Sequence, residues 1–477
     1  MVPDRFARLR RFAFDHRWSI AIFVAALIVR LHWNLVVHPL GDYIYSDMNG
    51  YNSRADRLVR DPFTPYEYHA FFPFGTHMMV AGFKLVFGAE GFASIAVAYA
   101  IGGALCVLAA HRIAIALSSA RWVPPAVGLL GIFYYPHLST GGYMLSELPF
   151  SMFFMLAVWC SVRLIDHGRR SDALLMGTCA GFAAWMRPQV LMAVALLGLF
   201  WLIRRRALPK LRVAHLVLAG IPLALLLGLS AAHFRFQTGR NGLVSENGPF
   251  NMVFGRCHNS KIESLPDGLG HGKVHFRPPE FLQLNNLLER RLKEGLEPPV
   301  KLDPIIGDVL NYKGYIGDRE RHNAYIRECL DKTTWWRQVE YSYLNAILLW
   351  RYNVPWPDSG RAQWREPSRV WTKAHEVLFA LPSVLFLVTL GRRRWARQGW
   401  VAVHMLAVIV VAAMYFGGTR HRASYDLLFV FFALEVYAVV FALAWQRYRR
   451  FRSAPADSQP PQSPPTGPID PHESSSS

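Results

Sequence analysis

Residues 18–61 read WSIAIFVAALIVRLHWNLVVHPLGDYIYSDMNGYNSRADRLVRD, and the change of composition within this stretch decides the fold. Residues 18–37 are predominantly apolar and form a run of roughly 20 residues, the length that a helix needs to cross a bilayer. The polar residues 43–61 follow after a short connection. The sequence therefore predicts a membrane-spanning helix that brings a polar segment, with Asp47 near its start, to one face of the membrane.

Further apolar runs near spanning length indicate a polytopic membrane protein. They cover residues 91–110, 122–138, 145–164, 173–185, 190–203, 213–232, 374–390, 400–416 and 424–445. Basic residues gather in alternate connections, which the positive-inside rule places in the cytoplasm; this accounts for the net charge of +19 without nucleic acid. The predicted fold is an all-α polytopic membrane protein of about ten transmembrane helices, with both termini cytoplasmic, provided that residues 72–88 do not cross completely.

The same pattern predicts the organisation of the chain. It comprises a basic cytoplasmic leader (1–17), an N-terminal transmembrane module (18–232) with a first periplasmic loop (38–90) that carries amphipathic juxtamembrane helices, a small and mainly helical periplasmic cap (233–373), C-terminal transmembrane helices (374–446), and a basic, then disordered Pro/Ser-rich cytoplasmic tail (447–477). Within the cap, residues 281–294, 320–337 and 339–350 are predicted helices, and 245–255 a shaped loop. Cys257 and Cys329 could pair in an oxidising periplasm or remain two unlinked thiols.

Asp47 is the first candidate functional residue. From Met48 onward, apolar residues fall on one face of a short amphipathic helix that would lie on the membrane surface. Ser46 or Asp47 would be its N-cap, and capping alone is a sufficient reason for an aspartate there. A helix N-terminus also favours an ionised carboxylate, as a general base requires, so the two roles are compatible.

Several other polar residues are predicted on the same outer face. They are Arg30 late in the first run, Glu67 and His69 in the first loop, Glu147 at the start of a run, Arg187 between two short runs, and Arg420, His421 and Arg422 before the last run. The basic residues could bind the phosphate of a lipid-linked substrate. Alternatively, they could anchor the chain at the membrane surface by contacts with lipid headgroups. Arg30 either pairs inside the bundle or extends to the headgroups. Asp47, Glu67, His69 and His77 could hold a divalent metal, although no ligand spacing supports one.

The order of these residues resembles the GT-C superfamily of polyprenyl-phosphate-sugar glycosyltransferases, of the protein O-mannosyltransferase and lipid A aminoarabinose transferase type. The resemblance covers roughly residues 18–255. It rests on Arg30-Leu31, Asp47 with Tyr51 and Ala55, the run from Phe72 to Phe87-Gly88, Ser146-Glu147-Leu148-Pro149, Arg187, and Asn247-Gly248 with Asn251 and Gly255. The chain departs from the family in two places. Asp47 is followed by Met48 where many relatives have a second acid, which weakens a metal role, and the basic segment from Arg420 lacks the usual proline.

The resemblance implies an inner-membrane enzyme with a periplasm-facing active site. A monosaccharide would pass from a polyprenyl-phosphate donor to a hydroxyl acceptor on a glycan, lipid or protein, usually with inversion, and no cofactor is expected to be required. The implied roles are Asp47 as general base, Arg187, Arg420, His421 and Arg422 as donor-phosphate ligands, and Arg30, Tyr51, Glu67, His69, Glu147, Asn247 and Asn251 as supporting or substrate residues. The alternatives are a lipid or solute transporter and a non-catalytic assembly subunit.

Overall fold

The computed structural model describes residues 16–88, 91–257, 261–264, 272–275, 317–351, 356–392 and 395–453. In the first half, the helices are α1 (Arg17–His32), α2 (Asp47–Arg60), α3 (Tyr68–Phe71), α4 (Gly75–Phe87), α5 (Phe92–Leu117), α6 (Val123–Phe133), α7 (Tyr135–Gly141), α8 (Glu147–His167), α9 (Arg170–Met186), α10 (Val190–Arg204) and α11 (Val213–Thr238). They are followed by α12 (Asn247–Arg256), strands β1 (Lys261–Ser264) and β2 (Gly272–His275), and helices α13 (Arg319–Lys332), α14 (Trp335–Arg351), α15 (Ala362–His375), α16 (Leu381–Leu387), α17 (Ala396–Met414), α18 (Thr419–Ala423) and α19 (Asp426–Ser453).

Among the described residues, seven helical segments are long and apolar enough to cross a membrane. They are Arg17–Val37, Phe92–Leu117, Glu147–His167, Val213–Thr238, Ala362–Leu387, Ala396–Met414 and Asp426–Arg449. The chain is thus a multi-pass membrane protein of the helical type. The other predicted runs fall on shorter helices, α6 with 11 residues, α9 with 17 and α10 with 15. The number of about ten spans therefore stays a prediction.

The predicted run 122–138 is two helices, because the chain breaks at Tyr134, whose backbone is extended (φ −68°, ψ 102°). Pro136 explains the break: proline has no backbone N–H, and its ring clashes with the carbonyl four residues earlier, here that of Ile132. Arg30 supplies donors at this helix end. Its guanidinium donates to the carbonyl oxygens of Gly131 (2.9 Å) and Ile132 (3.3 Å). The bundle therefore contains a helix end whose last carbonyls are paired by a side chain of α1.

Helix α4 covers most of the segment 72–88. Its 13 residues span about 20 Å, less than the ~30 Å hydrocarbon core of a bilayer. It packs against α2, and Met48, Tyr51 and Ala55 of α2 are buried in the same apolar cluster as Val80 and Ala81 of α4. The amphipathic helix predicted from Met48 onward is therefore α2, and its apolar face packs on protein rather than on lipid.

The described part of region 233–373 contains α12, the β1–β2 antiparallel hairpin, α13 and α14. A disulfide joins Cys257 to Cys329, which answers the question that the sequence leaves open. The predicted helices 320–337 and 339–350 correspond to α13 and α14. Residues 245–255 are mostly the helix α12 rather than a loop, because Pro249 falls in the first turn, where a helix tolerates proline. The predicted helix 281–294 lies outside the described residues, and the hairpin was not among the predicted elements.

The connection from α17 to α19 is held by close backbone packing. A Cβ atom at Gly417 would collide with the carbonyl of Asn345 in α14. The amide of Asn345 donates to the carbonyl oxygens of Gly255 (3.0 Å) and Tyr415 (3.4 Å). These contacts fix the segment that leads into α18, and α18 carries Arg420.

Candidate active site

Four charged side chains meet where α2, α8, α9 and α18 come together. Asp47 is the first residue of α2, Glu147 is the first of α8, Arg187 follows the last residue of α9, and Arg420 lies in α18. All four residues lie at or near helix ends. Their side chains therefore come into contact, although Asp47 and Arg420 are 373 positions apart in the sequence. We call these four residues the acid–arginine cluster.

Asp47 faces Arg420. Its Oδ2 atom accepts hydrogen bonds from Nη1 (3.2 Å) and Nη2 (3.3 Å) of that arginine. Ser46 occupies the N-cap position of α2 without a capping hydrogen bond from its side chain. The φ angle of Ser46 is 48°, and a non-glycine residue in such a sparsely populated conformation costs about 1–3 kcal/mol. Backbone strain therefore lies directly before Asp47, whose side chain is 33% exposed and accessible to a substrate.

Glu147 is the buried centre of the cluster. Its Oε1 atom pairs with Nη1 of Arg187 at 2.7 Å and also accepts a hydrogen bond from Nε of Arg420. A buried carboxylate is stable only when it is paired, and a helix N-terminus favours its negative charge. Ser424 donates to the backbone carbonyl of Glu147 (3.2 Å) and ties the start of α8 to the segment before α19. Glu147 therefore holds the two guanidinium groups next to each other.

Arg420 presents a different part of its guanidinium to each partner. Nε meets Glu147, the two Nη atoms meet Asp47, and the face lies 4.5 Å from the centre of the Trp356 ring. Burial alone would lower the pKa of Arg420, but the carboxylates of Glu147 and Asp47 raise it above its ordinary value. Arg187 and Arg420 remain 16% and 21% exposed. Two permanent cations therefore stand side by side within reach of an anion.

His421 and Tyr51 border the cluster as neutral groups. Burial lowers the pKa of His421 to about 3, and the positive charges of Arg187 and Arg420 act in the same direction. His421 therefore carries no charge near neutral pH, so a role toward phosphate would be that of a hydrogen-bond partner. Burial and the two carboxylates of the cluster raise the pKa of Tyr51 to about 12, which keeps its hydroxyl protonated.

Arg422, predicted as a phosphate ligand with Arg187 and Arg420, is not brought into the acid–arginine cluster. Its side chain is 1% exposed, with Nε bonded to Oδ1 of Asp426 (2.7 Å) and Nη1 to the carbonyl of Leu349 (2.8 Å). Residues two positions apart in a helix lie about 200° apart around its axis, so the guanidinium groups of Arg420 and Arg422 have different partners. The spacing from Arg422 to Asp426 is that of an i,i+4 ion pair, a signal that the sequence does contain.

Arg30 is buried inside the bundle, which contradicts the alternative that it extends to lipid headgroups. It is linked to the cluster through a chain of polar contacts. Nη2 of Arg30 contacts Nδ1 of His137 (3.3 Å), and Nε2 of His137 contacts Oγ of Ser151 (3.4 Å). Ser151 donates to the carbonyl of Ser424 (3.1 Å), the residue that bonds Glu147. Arg30 therefore supports helix geometry behind the cluster and does not touch it directly.

The other predicted residues lie in the first loop and in α12. Glu67 forms an ion pair with Arg240 at 3.6 Å. His69 is buried, and burial lowers its pKa to about 4. Asn247 begins α12, and Asn251 lies one turn later in the same helix. Edge-to-face packing of two phenylalanine rings joins this helix to the end of α3. These four residues thus lie on two segments that contact each other through those rings.

Sequence reasoning missed a buried carboxylate next to the cluster. Asp358 accepts hydrogen bonds from Ser139 (2.8 Å), Tyr143 (2.9 Å) and Tyr135 (3.1 Å). Burial raises the pKa of Asp358. These bonds anchor the short turn Asp358–Gly360 beside the indole ring that covers Arg420. No periodic pattern marks this aspartate, because its partners are hydroxyl groups more than 200 positions earlier in the chain.

The cluster offers an anion-binding pair of arginines and an accessible carboxylate that can accept a proton. Within the ranges that the structure describes, no three His, Cys, Asp or Glu side chains group closely enough to hold a metal ion. The donor set proposed from Asp47, Glu67, His69 and His77 is therefore not assembled among these residues. The chemistry that the described side chains support is anion binding combined with general-base catalysis.

No protein-family model and no curated protein matches the chain. Two similar solved structures are the oligosaccharyltransferase AglB from Archaeoglobus fulgidus, in complex with an inhibitory peptide and a dolichol-phosphate, and ArnT from Cupriavidus metallidurans, bound to undecaprenyl phosphate. AglB is 13% identical, with 93% of this chain and 52% of that chain covered and a TM-score of 0.42. ArnT is 12% identical, with 88% and 78% covered and a TM-score of 0.38. This chain thus spans about half the length of AglB. Neither likeness assigns a role to any residue here.

Proposed function

We propose that this chain is an integral membrane glycosyltransferase that moves a monosaccharide from a polyprenyl-phosphate donor to a hydroxyl acceptor. The observation that carries the proposal is the acid–arginine cluster. Arg187 and Arg420 stand together around Glu147 and suit a phosphate, while Asp47 lies at the accessible edge. The surrounding membrane helices suit a donor whose phosphate is attached to a lipid tail, and the sequence resemblance to GT-C enzymes supplies the reaction class.

In the proposed reaction, Asp47 takes the proton from the acceptor hydroxyl while the acceptor oxygen forms a bond to C1 of the sugar. The bond from C1 to the phosphate oxygen breaks, and its electron pair leaves with the phosphate. Arg187 and Arg420 stabilise the negative charge on that leaving group. A single displacement of this kind inverts the configuration at C1.

The disulfide supports the side of the membrane on which we place the reaction. Disulfides form and persist in oxidising compartments such as the bacterial periplasm. Cys257 and Cys329 lie in the region between α11 and α15, which the distribution of basic residues also predicts to be outside. We therefore place the cluster at the periplasmic face of the inner membrane, with both termini in the cytoplasm.

Asp47→Asn tests this function. The variant should fold and insert into the membrane but transfer sugar about 10²–10⁴-fold more slowly, because a general base contributes that much. Asp42→Asn is the matched control, since Asp42 is an exposed acid in the same loop. The assay incubates purified protein with a panel of polyprenyl-phosphate sugars and a cell-envelope extract that supplies glycan, lipid and protein hydroxyl acceptors, and it follows release of the lipid phosphate. Normal transfer by Asp47→Asn would eliminate Asp47 as the base, and a wild-type chain that binds donor without consuming it would be a transporter or an assembly subunit.

A further inference from the structure

A small cavity with a mostly apolar lining lies directly beside Arg420. Its volume is about 30 Å³, room for one or two water molecules. The residues that line it include Ser139, Thr140, Trp356, Thr419 and both Arg420 and Arg422. The cavity is therefore a narrow recess with a few polar groups, and its wall includes Arg420, one of the two arginines of the acid–arginine cluster.

One wall residue lacks a hydrogen-bond partner. Oγ1 of Thr419 is buried, with the residue 3% exposed, and bonds to nothing among the residues that the structure describes. Two other hydroxyls of the wall are already bonded, since Ser139 donates to Asp358 and Thr140 donates to the carbonyl of Pro136. A buried hydroxyl without a partner is unfavourable, so this recess favours a guest that can hydrogen-bond to Thr419.

Aromatic rings stand at the edge of the same recess. The Trp356 ring covers the guanidinium of Arg420 at 4.5 Å and meets the Tyr45 ring edge to face, with ring centres 6.3 Å apart. The hydroxyl of Tyr45 donates to the carbonyl of Pro357 (3.2 Å), and Asp358 is anchored by three hydroxyls, so Trp356 is held from both sides. Aromatic faces beside a few fixed polar groups are typical of small-molecule sites, and the C–H face of a sugar ring packs well on an indole.

From these contacts we infer that the recess receives one hydroxyl or amino substituent of the transferred monosaccharide, with Thr419 as its hydrogen-bond partner and Trp356 against the sugar ring. The inference rests on the proposed function, because the sugar is attached to the phosphate that Arg420 would bind. The isoprenoid tail is a poorer guest, since an apolar chain would leave Thr419 unpaired. A whole monosaccharide is larger than the recess, so the ring lies at its mouth. Thr419 and Trp356 are thus specificity-determining residues.

The test compares a polyprenyl phosphate without sugar to the same lipid carrying a glucosyl, mannosyl or arabinosyl group. Wild-type protein in detergent should bind at least one sugar-bearing lipid more tightly than the sugarless lipid. Thr419→Val should reduce that preference about three- to tenfold, the effect of one neutral hydrogen bond, and leave binding of the sugarless lipid unchanged. Thr419→Ser should keep the preference, and the exposed control Thr64→Val should have no effect.

The outcomes separate this inference from the proposed function. An unchanged preference in Thr419→Val, an equal loss for both lipids, or no preference in the wild type would overturn the recess as a sugar site while binding of the lipid phosphate stands. A wild-type chain that binds none of the lipids and transfers nothing would overturn the proposed function and this inference with it. If thermal unfolding shows that Thr419→Val does not fold, Trp356→Leu makes the same comparison and should lose the preference in the same way.

Discussion

Glu147→Gln should weaken both the stability of the protein and its binding of the donor. In the structure, one buried carboxylate oxygen joins Nη1 of Arg187 at 2.7 Å to Nε of Arg420. Glutamine keeps the size of the side chain and removes its charge. Two guanidinium groups would then face each other with only Asp47, at the exposed edge, to offset them.

The expected change in the free energy of unfolding depends on which carboxylate partner each arginine keeps in Glu147→Gln. A pair of unit charges about 4 Å apart attracts by about 4 kcal/mol at an effective dielectric constant of about 20. Removing one partner of a buried pair typically costs about 3–5 kcal/mol, because the other charge is left uncompensated. Arg420 keeps Asp47, whereas Arg187 loses the carboxylate that the structure pairs with it. We therefore expect a loss near the lower end, about 3 kcal/mol in the free energy of unfolding.

The assay measures unfolding in detergent by intrinsic fluorescence and donor binding by titration with a polyprenyl phosphate. Glu67→Gln is the matched control, because Glu67 is 42% exposed and pairs with Arg240 at 3.6 Å. Exposed pairs contribute about 0–1 kcal/mol, so this control should behave like the wild type. Glu147→Asp should recover part of the stability, since the charge remains but the shorter side chain reaches the two arginines less well. If Glu147→Gln unfolds and binds like the wild type, Glu147 does not position the arginines.

Two further predictions concern residues beside the cluster. Ser46→Gly should raise the free energy of unfolding by about 1 kcal/mol, because glycine adopts a positive φ angle without strain, whereas Ser53→Gly in the exposed middle of α2 should lower it by about 0.5 kcal/mol. Chemical denaturation of both variants checks the pair, and a loss of stability in Ser46→Gly would show that the conformation is not strained. His421 has a pKa lowered from 6.5 to about 3 by burial and by Arg187 and Arg420, with Glu147 acting in the opposite direction. Its contribution to stability is therefore complete above pH 6.5 and is lost as the pH falls toward 3, because the unfolded chain binds the proton first. His421→Asn should lose less stability than the wild type between pH 7.5 and pH 5 in thermal unfolding, and an identical pH dependence would contradict the assignment.

The sequence predicts the depth of each residue in the membrane better than its direction around the bundle. Hydropathy and the positive-inside rule place Asp47, Glu147, Arg187 and Arg420 near one face, because each lies at the edge of an apolar run. Which of them pair depends on how distant helices pack, and no local pattern contains that information. Arg422 is an example, because the direction of its side chain depends on α18. This helix has only five residues, and the sequence-based prediction treats the segment as a connection between apolar runs.

The missed residues have the same physical explanation. Asp358 is stabilised by hydroxyl groups on α7 and just after it, and a carboxylate with neutral partners leaves no charge pattern in the sequence. The helix break at Tyr134 could have been predicted from Pro136. The hydrogen bonds from Arg30 to the carbonyl groups at this helix end could not, because they join residues about 100 positions apart. Local sequence therefore predicts where helices end, and tertiary packing determines which groups form hydrogen bonds with the polar atoms exposed there.

The charge balance of the acid–arginine cluster has a consequence for how any anion enters it. Two carboxylates and two guanidinium groups leave the site with no net charge, and the neutral His421 does not change that sum. The N–H groups of both arginines are therefore already bonded to carboxylates when a phosphate arrives. The phosphate has to displace one of these carboxylates in order to bind. Glu147 is buried and fixed, so the exposed Asp47 is the carboxylate that yields its place on Arg420. Arrival of the donor would then release the base that the reaction needs.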